Sequence, residues 1–376
     1  MSDLNQAKDS LPFTQWAGAE LKVDLSAIAE NYRRLQKKAP SARCAAVVKA
    51  DGYNLGMIPI AKRLKEVGCS DFFVAYLDEG LALRSILSDN DRIYILHGLF
   101  PGSESICANA NLIPILNSLE QIDNWIRFCN QDQTRHAAGV QLDSGMSRFG
   151  IGPDEIELLC RIDWKSFDLA LIMSHLACAD IPNHPLNFKQ LQQFRLMKQM
   201  LPPAPASLSA SSGIFLGKDW HFDLIRPGAA LYGINPTPQK PNPMQNVVTL
   251  LGKVIQIRKI KPDIAVGYGA SFVSKKPMRL ALVSVGYADG FLRSFGNKAF
   301  AKSQKYPEIP LPIIGRISMD SLCIDISELS EKALHTSDFV ELIGPNCPID
   351  HIAATGGTIG YEMLTALGNR YQRIYY

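Results

Sequence analysis

Between residues 44 and 233, short apolar runs alternate with amphipathic stretches, and this alternation constrains the fold more than any single residue does. CAAVV (44–48) is followed by a helical pattern around PIAKRLKEVG (59–68), and DFFVAY (71–76) by one around EGLALRSIL (79–87). RIYIL (92–96) and LIPIL (112–116) come next, the second with LEQIDNWIRFC (119–129) behind it. GVQLD (139–143) leads into DEIELLCRI (154–162), and ALIMSHL (170–176) into NFKQLQQFRLMKQML (187–201). SLSAS (207–211) and a segment ending in RPGAALYG (226–233) complete the series. Short, continuous apolar runs spaced by helix-length segments suit parallel β/α units, whose strands are buried on both faces. Their number fits a (β/α)8 barrel of the TIM type. A doubly wound sheet shares the local pattern, but no G-x-G-x-x-G follows the first strand.

The pattern then changes. NPTPQKPNPMQN (235–246) is rich in proline and asparagine and reads as a linker. Beyond it, VVTLLGKVIQIRKI, MRLALVSVGY, LPIIGRISM, SLCIDIS and DFVELIG read as strands separated by turns, a smaller all-β domain. A short helix near residues 360–367 and then RYQRIYY end the chain. The predicted division is a barrel over 21–238 and a C-terminal β domain over 247–376. Upstream, LKVD (21–24) alternates like a strand, and Asp24 or Ser26 can cap a helix with Ile28, Tyr32 and Leu35 on one face.

Charge and cysteine usage exclude several functions. A formal net charge of +3 makes no case for nucleic-acid or membrane-surface binding, so any anion site must be local. No apolar stretch is long enough to span a membrane. The opening MSDLNQAKDSLPF has no apolar h-region, so no signal peptide is expected. The eight cysteines contain no C-x-x-C pair and are expected to be reduced core thiols of a cytoplasmic protein. The seven histidines form no H-E-x-x-H, and no metal site is expected.

Lys49 follows the first apolar run directly and precedes the turn-prone Asp51-Gly52 and then Tyr53. At the C-terminal end of a barrel strand, ligands and catalytic groups collect. A lysine there has a low-dielectric wall behind it, so its pKa falls and its amine becomes a nucleophile suited to Schiff-base chemistry.

Apolar strand, Lys49, small residue, turn, Tyr53 and Gly56 together resemble the cofactor-lysine motif of alanine racemases and related barrel-type enzymes. The resemblance implies that Lys49 holds pyridoxal 5′-phosphate as an aldimine and that Tyr53 reaches its phosphate. QLDSGMSRFGIG (141–152) sets Arg148 just past a strand end, where a planar guanidinium suits bidentate anion binding. It is similar to the family's D-T-G-M-x-R-x-G, with Ser144 for Thr. By resemblance, Arg148 bonds the cofactor phenolate and helps place the substrate carboxylate. Gln141 stands where many members carry a lysine that becomes carbamylated and braces this arginine. Glutamine cannot be carbamylated, so a neutral amide braces Arg148 or the brace is missing.

Further motifs follow in the family's order. His175, expected to end the strand LIMSHL, matches a strand-end histidine that orients the pyridine-facing arginine and the catalytic tyrosine. SLSASSGIF (207–215) resembles A-N-S-A, with Ser212 in the phosphate-binding place and Ser211 where asparagine is usual. In IRPGAALYG (225–233), Gly228 and Ala229 are expected at the phosphate, and Arg226 matches the arginine facing the pyridine nitrogen. AVGYGASF (265–272) places Tyr268 as the second catalytic base. VGYADGF (285–291) and IGRISMDSL (314–322) supply Tyr287, Met319 and Asp320 as substrate-lining residues. Tyr361, in TIGYEMLTALGNR (358–370), matches a second phosphate-binding tyrosine.

The family implies a two-base isomerase interconverting L- and D-alanine, with Lys49 handling the D-enantiomer's proton and Tyr268 the L-enantiomer's. It implies service to peptidoglycan synthesis or D-alanine breakdown. It also implies a head-to-tail homodimer with shared active sites, and a first strand, with residues 1–20, that joins the β domain. A broad-specificity racemase is the nearer rival. A barrel-fold decarboxylase would use a cysteine and a glutamate where Tyr268 and Arg226 stand. A cofactor-carrier protein of this barrel type would lack residues 247–376.

Overall fold

The apolar runs become the parallel strands of a barrel in the computed structural model, which describes residues 16–376. The barrel belongs to a unit spanning Leu25–Gln245. Ala46–Val47, Asp71–Val74, Arg92–Ile95, Ile113–Leu116, Ala137–Gln141, Asp168–Met173 and Ala206–Ser207 form a seven-stranded parallel sheet in that order. Leu224–Ile225 closes the ring. It pairs in parallel with Arg43–Cys44, the upstream half of the first strand, and Arg226 bridges to Ala210 on the other side. Inward-pointing side chains fill the interior, among them Val47, Phe73, Tyr94, Ile115, Leu171 and Met173. Phe73 stacks on Tyr94 with ring centroids 4.4 Å apart, so the barrel is a packed core and not a pore.

The helices pack outside. Leu25–Lys38 buries Ile28, Tyr32 and Leu35, the face its spacing dictates. Its buried Asn31 donates to the carbonyls of Leu231 (3.2 Å) and Gln245 (3.0 Å) and accepts from the Gln245 N–H (2.7 Å). That amide ties the proline-rich segment to the barrel unit, so the expected linker is a bound strap. One helix, Glu104–Asn109, went unpredicted; it is six residues long and buries only Cys107.

The barrel's N-terminal edge carries its charge balance. Asp71 is 1% exposed and receives a two-pronged contact from Arg92 at 2.6 and 2.8 Å, with the Tyr94 hydroxyl at 3.3 Å. Arg43 lies 3.6 Å away. All four residues sit in the first strand positions or close to them, far from the strand ends where the predicted site residues stand.

The second unit comprises residues 16–24 with Asn246–Tyr376. The residues 21–24 assigned to the barrel therefore belong here. Ala19–Val23 lies antiparallel to Val248–Ile260 and parallel to Gln372–Tyr375, burying Ala19, Leu21 and Val23 on one face. The rest of the expected N-terminal contribution, residues 1–15, lies outside the described residues. Val248–Ile260 also pairs with Met278–Val283 and Phe339–Ile343, which closes six strands of the eight-stranded sheet into a ring. The strand Phe300–Ser303 and the helix Ile349–Thr355 are additions to the sequence reading, and Gly360–Ala366 is the expected terminal helix. No helix among the described residues is long and apolar enough to cross a membrane. All eight cysteines are unpaired, but Cys160 is exposed, because it occupies the outer face of a five-residue helix.

Replacing Asp71 with alanine removes the shared acceptor of Arg92 and Arg43, whose side chains are 38 and 40% exposed and return to water. The expected loss is about 1–2 kcal/mol, read as a lowered urea midpoint. A loss under about 0.5 kcal/mol would mean that this cluster behaves as a surface pair.

Candidate functional site

The chain leaves the first barrel strand at Val47 and enters a turn of the wrong hand. Ala50, Asp51, Tyr53 and Asn54 all have φ between 51 and 61°, with Gly52 at 62°. The sequence suggested a simple two-residue turn at Asp51-Gly52. Instead, five consecutive residues run left-handed, at a cost of about 1–2 kcal/mol for each residue with a Cβ. Local bonds offset this. The Asp51 carboxylate accepts from the Met57 N–H at 2.8 Å, and its carbonyl from the Gly56 N–H at 2.8 Å. Tyr53 packs on Tyr232, ring centroids 4.7 Å apart. Lys49 stands at the start of this turn, half-buried. Burial lowers its ammonium below the ordinary lysine value, Arg148 adds to the lowering, and Glu79 opposes it.

Arg226 follows the last barrel strand and is 3% exposed. It donates to the Ser207 hydroxyl and, at 2.7 Å, to the Ser174 carbonyl, both at neighbouring strand ends. No carboxylate pairs with it among the described residues, and burial lowers it to about 9. It is therefore still charged at neutral pH. His175 lies two residues beyond the strand Asp168–Met173, after Ser174, whose N–H still donates to the Ser207 carbonyl at 3.0 Å and whose carbonyl accepts from Arg226. Burial first, then the charges of Arg226, Arg148 and Lys49, push its imidazolium down to about 3, so the ring is neutral.

Arg148 sits on a loop shaped by Asp143, whose carboxylate accepts from the N–H groups of Gly145, Met146 and Ser147 at 2.9, 2.9 and 3.1 Å. Its guanidinium lies over Phe149, 5.6 Å from the ring centroid. Gln141 is 5% exposed and donates to the Phe149 carbonyl at 3.3 Å. The neutral amide thus holds the backbone beside Arg148 and does not contact the guanidinium.

A cradle for an anion adjoins these cations. A Cβ on Gly228 would stand 2.5 Å from the Tyr53 hydroxyl, so only glycine lets the two meet. The Ser211 hydroxyl accepts from the N–H groups of Gly228 and Ala230, each at 3.1 Å, which orients the backbone around Ala229. Ser212, next along, directs a hydroxyl with no hydrogen-bond partner among the described residues. Sequence reasoning missed Ser211's role, along with Ser174, Ser207 and Glu79. A glutamate three residues past a helix start is a capping signal, but its reach to another strand is not. The donor set, Lys49, Arg148, Arg226, Tyr53 and Ser212, fits a small group that carries a phosphate and a ring-nitrogen acceptor.

The remaining predicted residues lie in the second unit. Tyr268 is 68% exposed, on a short turn flanked by Gly267 (φ 74°) and Gly269 (φ 70°). The Arg316 guanidinium fills the space beside Gly269, where a Cβ would be 2.9 Å from it. Tyr287 and Met319 lie on loops joined by their backbones: the Tyr287 N–H donates to the Ser318 carbonyl and the Ala288 N–H to the Met319 carbonyl, both at 3.0 Å. Asp320 accepts from Arg370 at 2.7 Å, and Arg370 also clamps Asp289 at 2.7 and 2.9 Å. The Asp320 carboxylate is therefore a brace for these loops. Tyr361 lies on the helix Gly360–Ala366.

The two units have counterparts in known proteins. The family description "Alanine racemase, N-terminal domain" matches residues 23–236, and "Alanine racemase, C-terminal domain" matches 247–375. A catabolic alanine racemase of Mesorhizobium japonicum is 49% identical over 96% of this chain and 93% of its own. One from Agrobacterium fabrum is 46% identical over 96% and 92%. A crystal structure of alanine racemase from Bartonella henselae, with covalently bound pyridoxal phosphate, superposes with a TM-score of 0.92 at 40% identity, over 96% of this chain and all of that one. With both family domains matched in order and relatives this similar over nearly their full length, the chain belongs to the alanine racemase family.

Proposed function

We propose that this chain interconverts L- and D-alanine, with pyridoxal 5′-phosphate held at Lys49. The observation that carries this reading is the cationic barrel mouth: a lysine of lowered basicity beside Arg148, with a buried, carboxylate-free Arg226 and a hydroxyl-lined cradle. The cofactor in the Bartonella henselae structure and the names of the relatives support it. Pyridoxal phosphate, when bound, withdraws electrons so that the Cα proton of an attached amino acid becomes removable.

The other tasks fall to side chains. Tyr53, Ser212, Gly228, Ala229 and Tyr361 hold the phosphate. Arg226 keeps its proton and turns a donor to the ring nitrogen, which then stays unprotonated and accepts charge only weakly. That favours return of the proton over loss of carboxylate or transfer of the amine. Arg148 binds the substrate carboxylate, with Met319 and Tyr287 lining the remaining space. Lys49 removes or returns the proton on one face of Cα and Tyr268 on the other. His175, neutral, serves as an acceptor or donor that orients Arg226 and the tyrosine.

The proposed assembly is a head-to-tail homodimer in which Tyr268 and Met319 of one chain complete the barrel site of its partner. Supporting it, Tyr268 and Met319 are 68 and 53% exposed on the β unit, so both side chains are open to a partner. Eight unpaired cysteines support a reducing compartment, hence the cytoplasm.

Three outcomes are expected. Borohydride reduction with pyridoxal phosphate should fix a pyridoxyl group on Lys49, and near neutral pH, because this amine loses its proton more readily than ordinary lysines. A label on another lysine, or on none, would sink the mechanism. Lys49→Ala and Tyr268→Phe chains, each nearly inactive, should regain roughly a quarter of native activity when refolded together, since about half the dimers are mixed and each then holds one intact site. No recovery from a mixture shown to contain mixed dimers rules out the shared site. The relatives' catabolic designation favours alanine breakdown: a strain lacking this gene should fail to grow on alanine as carbon source while needing no added D-alanine. The reverse phenotype would assign it to wall synthesis.

A further inference from the structure

Glu79 is the carboxylate nearest in effect to Lys49, and none of the roles above uses it. It sits three residues past Tyr76, at the start of the helix Leu77–Arg84. One of its oxygens accepts from the N–H groups of Ala75 at 2.6 Å and Tyr76 at 3.2 Å, as a capping glutamate does. The other leaves its own helix and accepts from the Ala50 N–H at 2.6 Å. One carboxylate therefore spans the ends of two adjacent barrel strands, Ala46–Val47 and Asp71–Val74. The bond it makes to Ala50 lies on the peptide that joins Lys49 to the left-handed turn, at the first residue of that turn with positive φ (53°).

From this geometry we infer that Glu79 is a positioning residue for Lys49: it locks the Lys49–Ala50 peptide and thereby sets the direction in which the amine leaves the backbone. Charge and position act together here. Lys49 has Arg148 as its cationic neighbour and Glu79 as its anionic one. Glu79 also opposes the lowering of the His97 imidazolium caused by burial, Lys49 and Arg148, while His175 feels Lys49, Arg148 and Arg226. The other carboxylates nearby, Asp51 and Asp143, are engaged by backbone N–H groups of their own loops, and neither acts on Lys49 as Glu79 does. A simple capping glutamate would stabilise its helix and leave the lysine's chemistry alone.

The inference rests on the reading of Lys49 as the cofactor lysine, so its test has an arm that needs no cofactor. The full chain, stripped of cofactor with hydroxylamine, is acetylated with acetic anhydride across a pH series, and modification of Lys49 is followed by mass spectrometry. The loaded enzyme is assayed for kcat and KM with L-alanine. Glu79→Gln keeps the volume but loses the charge and one acceptor; Glu79→Asp keeps the charge but loses reach. In Glu79→Gln, the Lys49 profile should move to lower pH, because a charge that raised its basicity is gone. kcat should fall about tenfold or more, with KM changed far less, as expected for a misplaced reacting group. Glu79→Asp should bring the profile back toward wild type and leave kcat low. Wild-type profiles and kcat in both variants, with only a lower melting temperature, would reduce Glu79 to a helix cap and overturn the inference. If wild type shows no pyridoxyl on Lys49 but the acetylation profile still shifts in Glu79→Gln, the cofactor reading fails and the Glu79–Lys49 assignment stands.

Discussion

The barrel unit is organised around a buried positive charge, Arg226, that no carboxylate among the described residues neutralises. Taking the Arg226 guanidinium out of water costs several kcal/mol even after relaxation. Its bonds to Ser207 and the Ser174 carbonyl return about 1.5–3 kcal/mol each, as hydrogen bonds to charged groups do. The two sides are close, so the charge survives, and its pKa falls only to about 9. Ser174 offers its carbonyl to the guanidinium, and next to it burial first, then the charges of Arg226, Arg148 and Lys49, keeps His175 neutral. An anionic partner for Arg226 would remove this whole pattern.

The two edges of the barrel differ accordingly. At the N-terminal edge, the buried Asp71 is shared by two arginines, Arg92 and Arg43, so the carboxylate there is fully engaged. At the C-terminal edge, cations outnumber the carboxylates that act on them. The first edge is built for stability and the second for ligands, the asymmetry expected of a (β/α)8 barrel. The left-handed turn after Lys49 belongs to the second edge. Backbone strain of this kind persists only where surrounding contacts over-determine it. Here those contacts are Asp51, Tyr232 and Glu79.

In the β unit, the equivalent organising contact is Arg370, which grips Asp289 and Asp320. Three motifs distant in sequence, VGYADGF, IGRISMDSL and the GNR near the C-terminus, are held by one guanidinium. The loops carrying Tyr287 and Met319 are joined through that contact, although both side chains are exposed.

The alternation of apolar runs determined the barrel, and the loss of helical spacing after residue 246 determined the β unit, because burial on both faces or on one leaves a direct mark on residue order. The positions of Lys49 just past the first strand and of Tyr268 between two glycines could also be read from residue order. What tertiary structure decided were the contacts between residues far apart in the chain. The hand of the turn after Lys49, the use of Gln141 on the Phe149 carbonyl, the engagement of Asp320 by Arg370 and the bridge from Glu79 to Ala50 all depend on which strand ends become neighbours when the ring closes. The exposure of Cys160 and the short helices at 104–109 and 349–355 escaped for a related reason. Segments of six or seven residues carry too few buried positions to mark a period, so packing against the rest of the fold decides them.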